Sequence, residues 1–193
     1  MSHEIRTPMN AVIGMTHLVL KTGLTQQQRE YLRKIQLSSQ HLLGILNDIL
    51  DFSKIDAGKM TVEHIDFELE RVLDNVSGLI AEKAAGKGLE LIIDIAPDVP
   101  DKLVGDPLRI GQILINYANN AVKFTEHGEI AIHVRVMSEL DDELVLHFSV
   151  RDTGIGIPEE KHGTIFNAFE QVDGTLTRRH GGSGLGLAIS SRL

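Results

Sequence analysis

The chain has 193 residues, 42% of them hydrophobic and 24% charged, which suits one large or two small globular domains able to bury a core. A formal charge of -8 with a pI near 5.5 argues against nucleic acid as a partner, because gripping a phosphate backbone takes a basic face and no basic patch occurs. There is no cysteine for disulfides or thiolate metal sites, no apolar run of membrane-spanning length and no secretory signal, so a soluble, cytoplasmic piece is expected.

The chain begins with Ser2-His3-Glu4-Ile5-Arg6-Thr7-Pro8, a histidine followed at once by an acid. His3 is one of nine histidines, and by itself an ordinary surface or core residue is the commoner role. Apolar residues at Ile5, Met9, Val12, Thr16 and Val19 follow the four-three spacing of a bundle helix, with Thr16 the one weak position. His3, Thr7 and Asn10 then share a polar stripe beside the seam, with Glu4 adjacent. Pro8 removes a backbone donor, which predicts a bend or loosened turn next to the histidine.

Lys21-Thr22-Gly23 ends this helix, and Thr25 with Gln28 reads as a capping box opening the next. The second helix carries Tyr31, Ile35, Ser38, Leu42, Ile45, Ile49 and Phe52 at the same spacing and stops at Asp56-Ala57-Gly58. It spans roughly 30 residues, or about 45 Å at 1.5 Å per residue. Two antiparallel helices cannot enclose such a seam. Pairing two hairpins into a four-helix bundle would do so, which predicts a homodimer; a hairpin packed on the rest of its own chain is the alternative.

After Gly58 the pattern changes, and a domain boundary is expected near Lys59-Met60. Thr61-Val62-Glu63 is a strand candidate, residues 67 to about 87 read as a helix, Leu89 to Ile95 as a strand, and Pro97-Asp98-Val99-Pro100 as a turn. Asp106-Pro107 reads as an N-cap with proline in the first helical position, opening a helix to about Lys123. Its apolar face is Ile110, Ile113, Leu114, Tyr117 and Ala121. Its polar face sets Asn116, Asn120 and Lys123 on one side, two amides and an ammonium that suit either a solvated surface or a Mg-nucleotide site.

Residues 128–137 and 144–150 predict an antiparallel hairpin. The second strand runs into Asp152-Thr153-Gly154-Ile155-Gly156-Ile157-Pro158, and a second cluster, Gly181-Gly182-Ser183-Gly184-Leu185-Gly186, lies further on. Such glycine density lets a backbone pass close to a ligand and present amides to phosphate, although either cluster alone is a weak signal. Neither matches a P-loop or a dinucleotide fingerprint. Leu187-Ala188-Ile189 looks like a helix start aimed at phosphate. Between the clusters, residues 166–180 include Phe166, Phe169, Arg178 and Arg179 with little periodicity; a lid over a nucleotide and an ordinary surface loop are both open.

Together these stretches resemble the kinase core of sensor histidine kinases, especially the hybrid type, over essentially the whole chain. Residues 2–10 resemble the phosphoacceptor motif, Asn116 to Phe124 the asparagine motif, Asp152 to Ile157 the first glycine motif, Phe166 and Phe169 the phenylalanine motif, and Gly182, Gly184, Leu185 and Gly186 the second glycine motif. The resemblance implies an α+β chain. Its first 58 residues would form a dimerisation and histidine phosphotransfer hairpin, half of a dimeric four-helix bundle. Residues 59–193 would form an ATP-binding α/β sandwich of mixed sheet and helices like that of gyrase and the Hsp90 chaperones.

By the same resemblance, His3 is the nucleophile on the γ-phosphate of ATP and Glu4 orients or polarises its imidazole. Thr7 matches the position that places water in the reverse, phosphatase reaction. Asn120 would hold Mg2+ with Asn116 in support, Lys123 would meet phosphate, Asp152 the adenine amino group and Phe124 the base. Gly154, Gly156, Ile157, Phe166, Phe169, Arg178, Gly182, Gly184, Leu185 and Gly186 would complete the nucleotide pocket. The phosphoryl group would pass on to an aspartate of a response regulator receiver domain. Asn167 stands where the family has an acid and Ser183 where it has threonine.

Only two residues precede His3 and seven follow Gly186, so a C-terminally truncated fragment is expected. Its only route to the inner membrane would be through segments of a parent protein. An impaired, dimeric nucleotide-binding scaffold is the competing function. A mechanical ATPase is disfavoured, since it has no use for a His3-Glu4 hairpin.

Overall fold

A computed structural model of the chain describes residues 2–141, 143–170 and 184–193, with side chains from Glu4 onward. Two compact units result, Met1–Met60 and Thr61–Leu193.

The first unit is a pair of helices, α1 (Ser2–Leu20) and α2 (Gln26–Asp56). Helix α1 runs through Pro8 without interruption. Both halves of the predicted capping box form: the Gln28 amide donates to Thr25 Oγ1 at 3.2 Å, and the Thr25 amide donates to Gln28 Oε1 at 3.0 Å. Thr16, the weak position of the first helix, is 5% exposed and satisfies its hydroxyl on the Val12 carbonyl at 2.7 Å. Arg6 donates to Asn47 Oδ1 and ties the two helices together. Most of the predicted seam stays open, with Ile5, Val12, Val19, Tyr31, Ile35, Leu42 and Ile49 exposed and Met9, Ile45 and Phe52 half-buried.

The second unit is α+β, as the sequence predicts. Strand β1 (Ile65–Glu68) pairs antiparallel with β3 (Lys102–Gly105). Strands β2 (Glu90–Ile95), β4 (Glu129–Leu140) and β5 (Glu143–Asp152) form a mixed sheet, with β4 in the middle, parallel to β2 and antiparallel to β5. Helices α3 (Leu69–Gly86) and α4 (Pro107–Phe124) cover one face of that sheet. Leu69, Leu73, Val76 and Ile80 of α3 and Leu114, Ala118 and Ala121 of α4 meet Ile130, Ile132 and Val134 of β4, all at 3% exposure or less. A helix of one and a half turns, α5 (Gly186–Ser190), follows the second glycine cluster.

Three local expectations need correction. The strand candidate at Thr61-Val62-Glu63 is irregular, and the strand lies at β1 instead. Phe67 belongs to β1, and α3 starts at Leu69 because its cap comes from a distant loop. The Leu69 amide donates to the Asp101 carbonyl at 2.8 Å and the Glu70 amide to Asp101 Oδ1 at 3.0 Å, while Glu68 supplies no side-chain cap. Strand β3 was not expected at all, and the β4–β5 hairpin is longer than predicted, turning at positive-φ Asp141 after an irregularity between Val136 and Ser138.

Candidate functional site

Helix α4 is the scaffold of the site, and it is anchored at its start. Asp106 is 6% exposed; its Oδ1 accepts the Arg109 amide and its Oδ2 the Glu63 amide, each at 3.0 Å. Burial alone would push this carboxyl up, but the amides of Glu63 and Arg109 outweigh it, and the pKa lies below its ordinary 3.8. Ile110, Leu114, Ala118 and Ala121 bury the opposite side of the helix, which leaves Asn116, Asn120 and Lys123 on a half-exposed stripe.

These three side chains are committed to different degrees. Asn116 donates through Nδ2 to the Gly186 carbonyl and to Ser190 Oγ, each at 3.2 Å, which joins α4 to α5. A Cβ on Gly186 would stand 3.2 Å from Asn116 Oδ1, so a residue without a side chain lets the second glycine cluster close on this amide. Asn120 has no hydrogen-bond partner among the described residues. The Lys123 ammonium lies 4.7 Å from the centroid of the Phe124 ring, with no hydrogen bond or ion pair among the described residues. Desolvation lowers its pKa from the ordinary 10.5.

The first glycine loop meets the other end of α4. The Gly154 amide donates to Asp152 Oδ1 at 2.8 Å, and the fully buried Thr125 reaches the same oxygen from 3.5 Å. Asp152 Oδ2 has no partner among the described residues. A Cβ on Gly154 would fall 2.6 Å from the Phe124 carbonyl, so only glycine allows this approach. The same carbonyl receives the Ile155 amide at 3.4 Å. Gly156 has φ +70 with nothing within 4 Å of a built Cβ, so its backbone faces open space. Beyond it, His162 Nε2 donates to the Ile157 carbonyl at 3.0 Å and ties down the loop.

The phenylalanine stretch meets the second glycine cluster through its backbone. The Phe169 amide donates to the Gly184 carbonyl at 3.1 Å, with Phe169 at φ 67 and Gly184 at φ +69. Leu185 is fully buried, whereas Phe166 and Phe169 are exposed. Glu4 and Thr7 are exposed on α1. The His3 side chain, Arg178 and Gly182 lie outside the described residues, as does most of the stretch between Phe169 and Gly184. Thr125 and Ser190, which hold Asp152 and Asn116, were not singled out by sequence; a hydroxyl residue beside a motif carries no local sign of its partner.

Chemically, one end of α4 offers a free carboxylate oxygen beside a backbone-lined loop, and its polar stripe offers a free amide and a free ammonium. An acceptor for an amino group, an oxygen ligand for a hard cation and a counter-charge for phosphate suit a nucleotide carrying a divalent ion.

Residues 1–58 match the family described as His Kinase A (phospho-acceptor) domain, and residues 105–193 match the Histidine kinase-, DNA gyrase B-, and HSP90-like ATPase family. A phosphoacceptor helix pair followed by an ATPase fold defines the class. The chain is 51% identical over its full length to signal transduction histidine-protein kinase BarA of Escherichia coli strain K12 and covers 21% of that protein. It is 47% identical over its full length to hybrid signal transduction histidine kinase L of Dictyostelium discoideum and covers 11% of it. Among solved structures, full-length ShkA in complex with AMPPNP superposes with a TM-score of 0.77 at 39% identity, over 99% of this chain and 38% of ShkA. The chain belongs to the histidine kinase family of two-component signal transduction. It spans about a fifth of the length of the BarA relative. No helix among the described residues is long and apolar enough to cross a membrane.

Proposed function

We propose that the chain catalyses ATP-dependent autophosphorylation of His3 and that the phosphoryl group then passes to an aspartate of a response regulator receiver domain. Residues 1–58 act as the dimerisation and phosphotransfer hairpin, and residues 59–193 as the ATP-binding domain. The observation that carries this reading is the α4 site, where Asn120, Lys123 and Asp152 Oδ2 are left without hydrogen-bond or ion-pair partners among the described residues. AMPPNP, the ligand named for ShkA, is an ATP analogue and supports the same substrate here.

Asp152 Oδ2 accepts from the adenine amino group while Phe124 packs against the base. Gly154, Gly156 and Ile157 line one wall and Gly184 and Gly186 the other, with Leu185 buried behind them and Phe166 and Phe169 alongside; Arg178 and Gly182, which belong to the same motifs, lie outside the described residues. Lys123 neutralises phosphate oxygens. The oxygen of Asn120 suits Mg2+, supported by Asn116, and the ion supplies charge neutralisation on the phosphates. One ring nitrogen of His3 forms a bond to the γ-phosphorus as the bond to the bridging oxygen breaks, and ADP leaves with that electron pair. Glu4 accepts a hydrogen bond from the other ring nitrogen and takes up the proton, which raises the nucleophilicity of the attacking atom. Thr7 holds water for the reverse, phosphatase reaction.

Two copies join through the exposed seam of Ile5, Val12, Val19, Tyr31, Ile35, Leu42 and Ile49, an apolar stripe that a second hairpin would cover. The kinase reading is tested by incubating the protein with γ-labelled ATP and Mg2+. Acid-labile, base-stable label that vanishes in His3→Gln supports it; ATP binding with no such label points to a scaffold.

A further inference from the structure

An α-helix leaves its last carbonyls without intrahelical donors, and each must find a partner elsewhere. At the end of α4 the Thr125 amide takes the Ala121 carbonyl at 3.0 Å and the Ile155 amide takes that of Phe124. The remaining acceptors converge on a single side chain. Lys87 Nζ donates to the Val122 carbonyl at 2.6 Å, to Lys123 at 3.1 Å and to Thr125 at 3.1 Å. Lys87 comes from the turn after α3, where Gly88 at φ +70 reverses the chain. No glycine caps α4; an ammonium from 35 residues upstream of Val122 does.

We propose that Lys87 is a positioning residue of the nucleotide site, the C-terminal cap that sets where the last turn of α4 stands. That turn carries Lys123 and Phe124. Its Phe124 carbonyl lies against Gly154 and accepts the Ile155 amide, and the following Thr125 hydroxyl approaches Asp152. The ammonium therefore fixes one side of a junction whose other side is the first glycine loop. Removing it frees three carbonyls to re-solvate individually, and the turn loses its register with Asp152. The assignment rests on α4 being the ATP helix, as proposed above.

The test compares parent, Lys87→Met, Lys87→Arg and Lys87→Ala proteins of the whole chain, titrated with fluorescent mant-ATP and Mg2+, with amide exchange followed at Ile155. Hydrogen bonds from a charged donor to a half-solvated helix end predict affinity about five- to tenfold weaker in Lys87→Met, with faster exchange at Ile155. Arginine still donates to several carbonyls and should stay within about twofold of the parent. Added n-propylammonium should restore much of the affinity lost in Lys87→Ala, and labelling of His3 at saturating ATP should fall less than affinity does. A Lys87→Met protein that melts earlier yet matches the parent in both mant-ATP affinity and Ile155 exchange would overturn the proposal. If the parent binds no mant-ATP, the ATP assignment of α4 fails, and exchange at Ile155 in Lys87→Met still decides whether Lys87 holds the turn.

Discussion

The two units solve the problem of burying apolar surface in opposite ways. Every buried hydrophobic residue of the described chain, from Leu69 to Ile189, belongs to the second unit, whereas the first buries only Thr16 and Ser39 to that degree. The ATPase unit has a core of its own: α3 and α4 lay their apolar stripes on β4, and the polar stripe of α4 is left half-exposed. In the hairpin, the two helices touch along one line while a second apolar line stays exposed. A unit with its own core can bind ligand alone; one without needs a partner.

The sharpest way to break this contrast is to charge the seam. Leu42→Glu combined with Ile35→Glu should abolish dimerisation and melt the hairpin, since each side chain is worth about 1.5–3 kcal/mol when buried and counts twice in a symmetric dimer. Sedimentation and circular dichroism would report this, with mant-ATP binding by the second unit retained. Dimers surviving the double substitution would place the interface elsewhere. The converse change is smaller. Ile132→Ala, at a fully buried β4 position, should cost about 2–5 kcal/mol in denaturant unfolding of the second unit and leave the hairpin associated.

Smaller again is the effect of Asp106, where asparagine separates two roles. The amide oxygen of Asp106→Asn still caps α4, but its NH2 group cannot accept from Glu63, and the loss of one charged hydrogen bond should cost about 1.5–3 kcal/mol. The folded pKa of Asp106 is depressed, so its carboxylate contributes in full above the ordinary 3.8 and loses that contribution as pH falls through the lower folded value. Melting temperature of the parent should therefore drop more steeply below about pH 4 than that of the variant. Equal slopes would assign the acid sensitivity to another group.

What was legible in the sequence is what is decided locally. Thr25 and Gln28 cap each other across three residues, Asp106-Pro107 opens α4, and the four-three spacing marks both hairpin helices, so these appear where the sequence places them. What was missed is decided at long range. Helix α3 starts two residues late because Asp101 caps it from 31 residues away, and β3 is four residues whose only strand partner among the described residues is β1. The site divides in the same way. Asn116, Asn120, Lys123 and Asp152 lie in recognisable motifs, while Lys87 and Thr125 matter only through carbonyl and carboxylate contacts that spacing does not reveal.

The proposed function divides the labour, with the acceptor on the hairpin and the donor site in the second unit. It is tested most directly by measuring ATP affinity and phosphoryl incorporation together in His3→Gln and Asn120→Ala. His3→Gln should bind ATP as the parent does and take up no phosphate, while Asn120→Ala should stay dimeric and lose incorporation. Phosphate still incorporated by His3→Gln, or ATP affinity lost with His3, would contradict it.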